Sequence, residues 1–285
     1  MHKQHIDRLF VAFKPQDISS NRYLGQIKRK YGVKKAGFSG TLDPFAKGVL
    51  IMAFGKYTKL FRFLKKAPKR YRATLWLGAY SETLDIEKIS QIQEITPFDD
   101  EKIEKVLNTF KGEITYLPPK YSAKKINGKR AYDLARENLD VNLKKITSAI
   151  YDISLLHYRH PFVTFEITIS EGGYIRSIGA LIAQSLSVEG ALTALERLYE
   201  GDFVYDHERA LDPLLYLDLK ENSYLGDKED ISLGRKLLLS DFQDKDEGIY
   251  LVKLDKMFAI MEIKDGLVKY LLNGVNYVNT IEKSG

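Results

Sequence analysis

The stretch GFSGTLDPFAKGVL, Gly37–Leu50, decides how the rest of the chain is read. It carries a single acid, Asp43, with glycines upstream and an apolar run downstream. No other Asp or Glu lies between Asp17 and Glu82. Gly37 and Gly40 allow the backbone to come close to a ligand. The run GVLIMAFG, Gly48–Gly55, is apolar throughout and bounded by glycines, the pattern of a buried strand. A loop that leads into such a strand rests on a rigid element. The flanks are basic and would keep Asp43 ionised. The residues leave two readings open: a catalytic carboxylate, or an Asp–Pro turn residue or helix cap. Metal ligation is disfavoured, because a lone carboxylate without a nearby His or second acid is a poor site. The stretch offers a single acid to any site built on it, and one acid is the expectation.

Outward from this stretch the pattern is α+β. LFVAFKP, Leu9–Pro15, reads as a strand stopped by proline. SSNRYLGQIKRKYG reads as a helix capped by Ser19 or Ser20 and ended at Gly32. KLFRFLKKAPK reads as a short basic helix ending near Pro68. KRYRATLWLG puts Tyr71, Ala73, Leu75 and Leu77 on one side of a strand. FDDEKIEKVLNTFKG is a helix, and LPPKYSAKKINGKRAYDLAREN begins as a loop and ends as one. KKITSAIYDISLLHYRHPFVTFEITIS holds two or three strands, and GYIRSIGALIAQSL is a helix with one apolar face. TALERLYEGDF reads as a loop leading into a short strand. From about 211 to 232 the chain turns acidic. Beyond it, GIYLVKLDKMFAIMEIKDGLVKY alternates like two or three strands with a KDG turn. This gives two domains, 1–220 and a small β module at 221–285.

The net charge of +6 hides an asymmetry. Met1–Leu75 holds 18 Lys and Arg against three acids, Asp7, Asp17 and Asp43, while the segment after Leu211 is acidic. A basic front half points to a polyanion, and nucleic acid fits best. Tyr23, Tyr31, Tyr57, Phe61, Phe63 and Tyr71 interleave with these charges, as stacking residues for bases would. There is no cysteine, which removes disulfides and thiol chemistry. The five histidines have no metalloenzyme spacing, and P-loop, G-x-S-x-G and G-x-G-x-x-G motifs are absent. No apolar run is long enough for a membrane span and no signal peptide is read, so a cytoplasmic location is expected. In GGYIR, Gly172–Arg176, the residues leave open whether Tyr174 and Arg176 belong to a site or simply open a helix.

Taken together, the motifs carry a resemblance. GFSGTLDPFAKGVL is similar to the G-x-x-G-[ST]-L-D-P-x-A-x-G-[VM]-L motif of the TruB family, the tRNA pseudouridine-55 synthases. FKPQDISSN, KRYRATLWLGAYSETLD, LPPKYSAKKINGKRAYDLAR and GGYIRSIGALIAQSL resemble the family's other motifs in the same order, over about residues 9–200. The resemblance implies a pseudouridine synthase fold, a mixed and mainly antiparallel sheet with flanking helices, followed by a reduced module of the PUA type. It implies Asp43 as catalytic aspartate, Arg176 as its partner and Tyr71 stacked on the target uracil. Tyr174, Leu195, Lys14 and Phe38 fall at further substrate-binding positions. Phe38 stands where the family usually has histidine, Asp17 where it has glycine, and Glu196 where it has arginine. The implied activity isomerises uridine 55 in the T-arm of tRNA, by a flipped nucleotide, with no cofactor and no metal, in a monomer.

The residues also leave rival readings. One is a non-catalytic RNA-binding protein on the same fold. Another is a glycoside hydrolase, which would need two acids flanking the scissile bond. A third is a pseudouridine synthase acting on other RNA.

Overall fold

The computed structural model describes residues 7–121 and 143–276, together with the backbone of two short strands at 125–126 and 129–130. The helix expected within LPPKYSAKKINGKRAYDLAREN lies outside the described residues. In chain order the elements are β1 (Arg8–Lys14), α1 (Ser20–Lys30), β2 (Ala36–Ser39), β3 (Lys47–Phe54), β4 (Lys69–Leu77), β5 (Ala79–Ser81) and β6 (Ile89–Ile92). There follow α2 (Asp100–Asn108), β7 (Gly112–Tyr116), β8 (Lys125–Ile126), β9 (Lys129–Arg130), β10 (Ile146–Arg159), β11 (Phe162–Ile169), α3 (Ile175–Ser185) and β12 (Gly190–Glu200). The chain continues through β13 (Ala210–Leu211), β14 (Lys220–Glu221), α4 (Lys228–Leu233), β15 (Gly248–Lys253), β16 (Met257–Lys264) and β17 (Leu267–Asn276).

The main sheet runs β13-β1-β3-β12-β4-β11-β10-β7, with β2 paired to β3. Only β3 and β12 pair in parallel within it; its other pairs are antiparallel. A second sheet runs β14-β15-β16-β17. The mixed, mainly antiparallel architecture with a C-terminal sheet is the one expected.

Burial explains the two kinds of strand. Every β3 residue from Gly48 to Phe54 is buried. On one face, Leu50 and Met52 pack with Phe10, Ile27 and the rest of the α1 layer. On the other, Val49 and Ile51 pack with Leu251, Phe258 and Ile260 of the second sheet. A strand covered on both sides must be apolar throughout, and each such side chain stabilises the fold by about 1.5–3 kcal/mol. Strand β4 is covered on one face only. Tyr71, Ala73, Leu75 and Leu77 point into a core shared with α2 and α3, while Arg70, Arg72 and Thr74 face away. On that open face Arg70 and Arg72 both pair with Glu166 of β11 at 2.7 Å. The second sheet therefore shares an apolar cluster with β1 and β3 and is not a tethered appendage.

Three expectations change. TALERLYEGDF is no loop: it forms most of β12, an 11-residue strand inside the main sheet. Register shifts between Leu192 and Ala194 and between Arg197 and Tyr199 break the period-two alternation that would have marked it. The basic helix expected up to Pro68 is a 3₁₀ segment at Gly55–Arg62, and Phe63 and Leu64 beyond it are buried. The interleaved aromatics are mostly core: Tyr23, Tyr57, Phe63 and Tyr71 are all under a tenth exposed. Their spacing among lysines reflects strands and helices with one basic face, not a row of stacking platforms.

Candidate active site

The loop between β2 and β3 carries Asp43. Leu42 and Phe45 on either side are buried in the core with Tyr71 and Ile175. The hydroxyl of Ser20, at the start of α1, donates to the Leu42 carbonyl and accepts from the Leu42 amide at 2.9 and 3.0 Å. The Ala46 amide closes a turn on the Asp43 carbonyl at 3.1 Å. The Lys14 ammonium donates to the carbonyls of Pro15, Ile18 and Pro44 at 2.8, 2.6 and 3.3 Å. Helix α1 and the end of β1 thus fix the loop from below. Asp17 adopts φ 61°, in the left-handed region that Asp tolerates better than most residues.

Three glycines around the loop also relieve close packing, and Gly40 among them lines the cavity. Gly40 has φ 69°, and a Cβ on it would meet the carboxylate of Glu200 at 2.9 Å. Gly37 makes room for Phe61, whose ring would lie 3.2 Å from a Cβ. Gly48 has φ 116°, and a Cβ there would lie 2.3 Å from the Arg197 carbonyl oxygen, where β3 and β12 meet.

Asp43 opens on a cavity of about 300 Å³. Tyr71 of β4, Leu195 of β12, and Tyr174 and Arg176 at the start of α3 line it. Positions as far apart as Tyr71 and Leu195 meet because β4 and β12 are neighbours, with Ala73 opposite Leu195 and Tyr71 opposite Arg197. Gly172 and Gly173 bring the chain from β11 into α3 along the cavity wall. The Tyr174 amide donates to the Tyr116 hydroxyl at 3.0 Å, which fixes the start of the helix.

Arg176 is 5% exposed, and its guanidinium organises the site. Its Nε donates to Asp43 Oδ2 at 2.9 Å. One terminal nitrogen donates to Asp85 Oδ2 at 3.1 Å and to the Thr83 carbonyl at 2.8 Å, and the other to the Tyr121 carbonyl at 2.7 Å. Asp85 is itself held by the Thr83 hydroxyl at 2.6 Å and the Glu87 amide at 3.0 Å. The expectation of a single acid is therefore corrected. Two carboxylates share one guanidinium, and the second stays buried at 3% exposure, away from the cavity lining. The signal was present in the sequence: Asp85 closes the TLD of KRYRATLWLGAYSETLD. Lys69 and Arg197 also line the cavity and were missed. Both pair with Glu200, which has no exposure, at 3.0 and 3.3 Å.

Two expected binding residues lie elsewhere. Lys14 is fully buried under the loop and does not line the cavity, because its charge is spent on three carbonyls. Phe38 is half-buried on β2 and packs against the α1 layer.

Desolvation pushes the Asp43 carboxyl above its ordinary value, and Asp85 adds to the rise; Arg176 and Lys14 pull the other way. One third of the side chain remains exposed, on the cavity side. An Asp with a raised pKa is protonated up to a higher pH and ionises above it. The acid limb of the rate profile is therefore expected above the ordinary aspartate range, with rate climbing as pH rises. A single-turnover rate series from acid to neutral pH measures this. Lys14 is lowered to about 8, chiefly by burial, with Asp43 and Asp17 opposing.

A sequence model described as "TruB family pseudouridylate synthase (N terminal domain)" matches residues 28–175, just over half of the chain. A protein of Sulfurovum sp. named tRNA pseudouridine synthase B is 55% identical over 270 residues, covering 95% of this chain and 98% of its own. This chain belongs to the TruB family. A further TruB-type relative, from Campylobacter jejuni, carries the same printed name and is 50% identical, with 95% and 99% covered. Solved structures agree with the TruB assignment at the level of fold. The "Crystal Structure of a Cbf5-Nop10-Gar1 Complex" matches with TM-score 0.65 at 20% identity, over 94% of this chain and 85% of that one. The "Structure of H/ACA RNP bound to a substrate RNA containing 2'-deoxyuridine" matches with TM-score 0.60 at 18% identity, over 95% and 83%.

Proposed function

We propose that this protein converts uridine 55 in the T-arm of tRNA to pseudouridine, with Asp43 as nucleophile and the target nucleotide flipped into the cavity. The observation that carries the reading is the Asp43–Arg176 pair opening on a cavity walled by Tyr71, Tyr174 and Leu195. The reaction breaks the N1–C1′ bond and joins C5 to C1′. The proton on C5 leaves and N1 gains one, so the change is redox-neutral and asks for no cofactor. An ionised carboxylate can add at C1′ or remove a proton at C2′. A base in a folded loop must leave its stack to reach such a cavity. Tyr71 then offers a face for the freed uracil. The curated relatives named for tRNA and the basic front half support tRNA as substrate. The burial of Asp85 on Arg176 speaks against its serving as the second flanking acid of a glycosidase. The test is incubation with unmodified tRNA transcript, followed by chemical mapping of pseudouridine; no product at position 55 rejects the reading.

RNA binding should weaken steeply with salt. If about six phosphates are neutralised, the log–log slope is on the order of −4 to −5. Filter binding from low to moderate salt measures it, and a flat response would indicate a small-molecule substrate.

Phe38 gives a second check. On β2, one residue before Ser39, its half-exposed ring can stack where histidine in relatives can also hydrogen-bond. Phe38→His is expected to keep turning over. Phe38→Ala should lose about 5- to 150-fold, the equivalent of about 1–3 kcal/mol of lost stacking. Single-turnover rates decide it, and a Phe38→Ala rate equal to wild type reduces Phe38 to a packing residue.

A further inference from the structure

The cations around the cavity differ in how firmly they are committed. Arg176 is shared between Asp43 and Asp85. Lys69 and Arg197 serve the buried Glu200, and Arg197 also donates to the Val49 and Gly40 carbonyls at 2.8 and 2.7 Å. Lys66 is different. Its side chain is 15% exposed, and its ammonium lies 3.4 Å from Glu171 Oε1 and 3.2 Å from the Ser39 hydroxyl. Glu171 is 55% exposed.

These partners sit on opposite rims. Ser39 immediately precedes Gly40, and Glu171 immediately precedes Gly172; both glycines line the cavity. Lys66 thus spans the entrance from the Asp43 loop to the β11–α3 turn. The lysine is carried on a fixed segment. The Lys65 amide donates to the Tyr216 carbonyl at 3.0 Å, and the Gly201 amide to the Pro68 carbonyl at 2.8 Å. A Cβ on Gly201 would lie 2.3 Å from the Lys65 carbonyl oxygen, so the two segments touch. Glu171 is exposed and can leave without uncovering core. With Glu171 half in solvent and the separation at 3.4 Å, this pair contributes little, whereas a phosphodiester arriving with a nucleotide brings many other contacts and can take its place.

We propose that Lys66 binds a backbone phosphate flanking the nucleotide that enters the cavity, and that Glu171 occupies that phosphate position in the free protein. This rests on the reading that the substrate is RNA. Glu171 then acts as an internal competitor, so an RNA segment must supply a phosphate at the rim before its base can enter. The device favours a continuous strand over a free nucleoside.

The experiment uses the full chain and unmodified tRNA transcript, with folding of each variant checked by thermal melting. Glu171→Gln removes the competitor and should tighten binding by about 1.5- to 5-fold, the range of an exposed ion pair. Lys66→Met keeps the apolar stem and should reduce the salt slope by about 1. In the Lys66→Met background Glu171→Gln should bring no gain. A neutral methylphosphonate placed in turn on each side of the target uridine should weaken wild type at one position and leave Lys66→Met unaffected there. Wild-type turnover, with Glu171→Gln binding no tighter and the Lys66→Met slope unchanged, overturns the Lys66 assignment and leaves the synthase reading standing. Absence of wild-type turnover and of RNA binding overturns both.

Discussion

Asp43→Asn abolishes turnover, by about 10⁴-fold or more, while RNA affinity stays within a few-fold of wild type. The size follows from the role: removing the nucleophile of a covalent mechanism costs on that order, because no other group at the site replaces it. Of the other acids near the site, Asp85 is buried and bound to Thr83, Glu87 and Arg176, Glu200 is buried on Lys69 and Arg197, and Glu171 stands at the rim on Lys66. Asp85 cannot move to the cavity without breaking its contacts. Affinity is spared because the amide has the same shape and because phosphate contacts dominate binding. The fold should also survive. Asp85 still balances Arg176, and Leu42 and Phe45 still anchor the loop in the core. A burst of pseudouridine within 100-fold of the wild-type single-turnover rate would remove Asp43 from the role of nucleophile.

How far the site was legible in the sequence depended on what each residue does. Asp43, Tyr71, Tyr174, Arg176 and Leu195 were placed by the family resemblance of local motifs, and the structure brings them to one cavity. Asp85 closes the TLD of a family-like motif, but it escaped notice because its work is done through Arg176, 91 residues away. Lys14 was placed at a binding position by the resemblance alone, and burial cannot be read from a motif match. Its ammonium instead ties together three carbonyls beneath the loop. β12 was lost because its bulges interrupt alternation, and its charges are paired inside the fold: Glu196 with Lys47, and Arg197 and Glu200 with each other. The aromatics among the lysines misled because one-faced elements put core and charge side by side in sequence. Chemistry that lies in a local motif can be read from it. Chemistry that lies in a buried ion network needs the register of the strands.

Arg176→Lys is expected to lose about 10²- to 10³-fold in turnover although the charge is kept, the scale of losing one preorganised electrostatic contact. The guanidinium uses three nitrogens in one plane to reach Asp43, Asp85, the Thr83 carbonyl and the Tyr121 carbonyl. An ammonium has three donors on one atom and cannot span two carboxylates and two carbonyls set around a planar fork. Lysine would therefore leave at least one buried acceptor without a donor, at a cost of about 1–3 kcal/mol. Asp43 would bear much of the effect. Desolvation and Asp85 already raise its pKa, and Arg176 is the first of the groups opposing them. A weaker partner lets the pKa climb, so less of the carboxylate is ionised at neutral pH and less of it is aimed at the sugar. This yields a sign that a purely structural defect would not give. The acid limb of the Arg176→Lys rate profile should move to higher pH than wild type, and raising the pH should recover part of the rate. A profile displaced downward without any shift of its limb would mean that Arg176 holds the fold of the site but does not set the ionisation of Asp43. Near-wild-type turnover would remove it from the site's chemistry altogether.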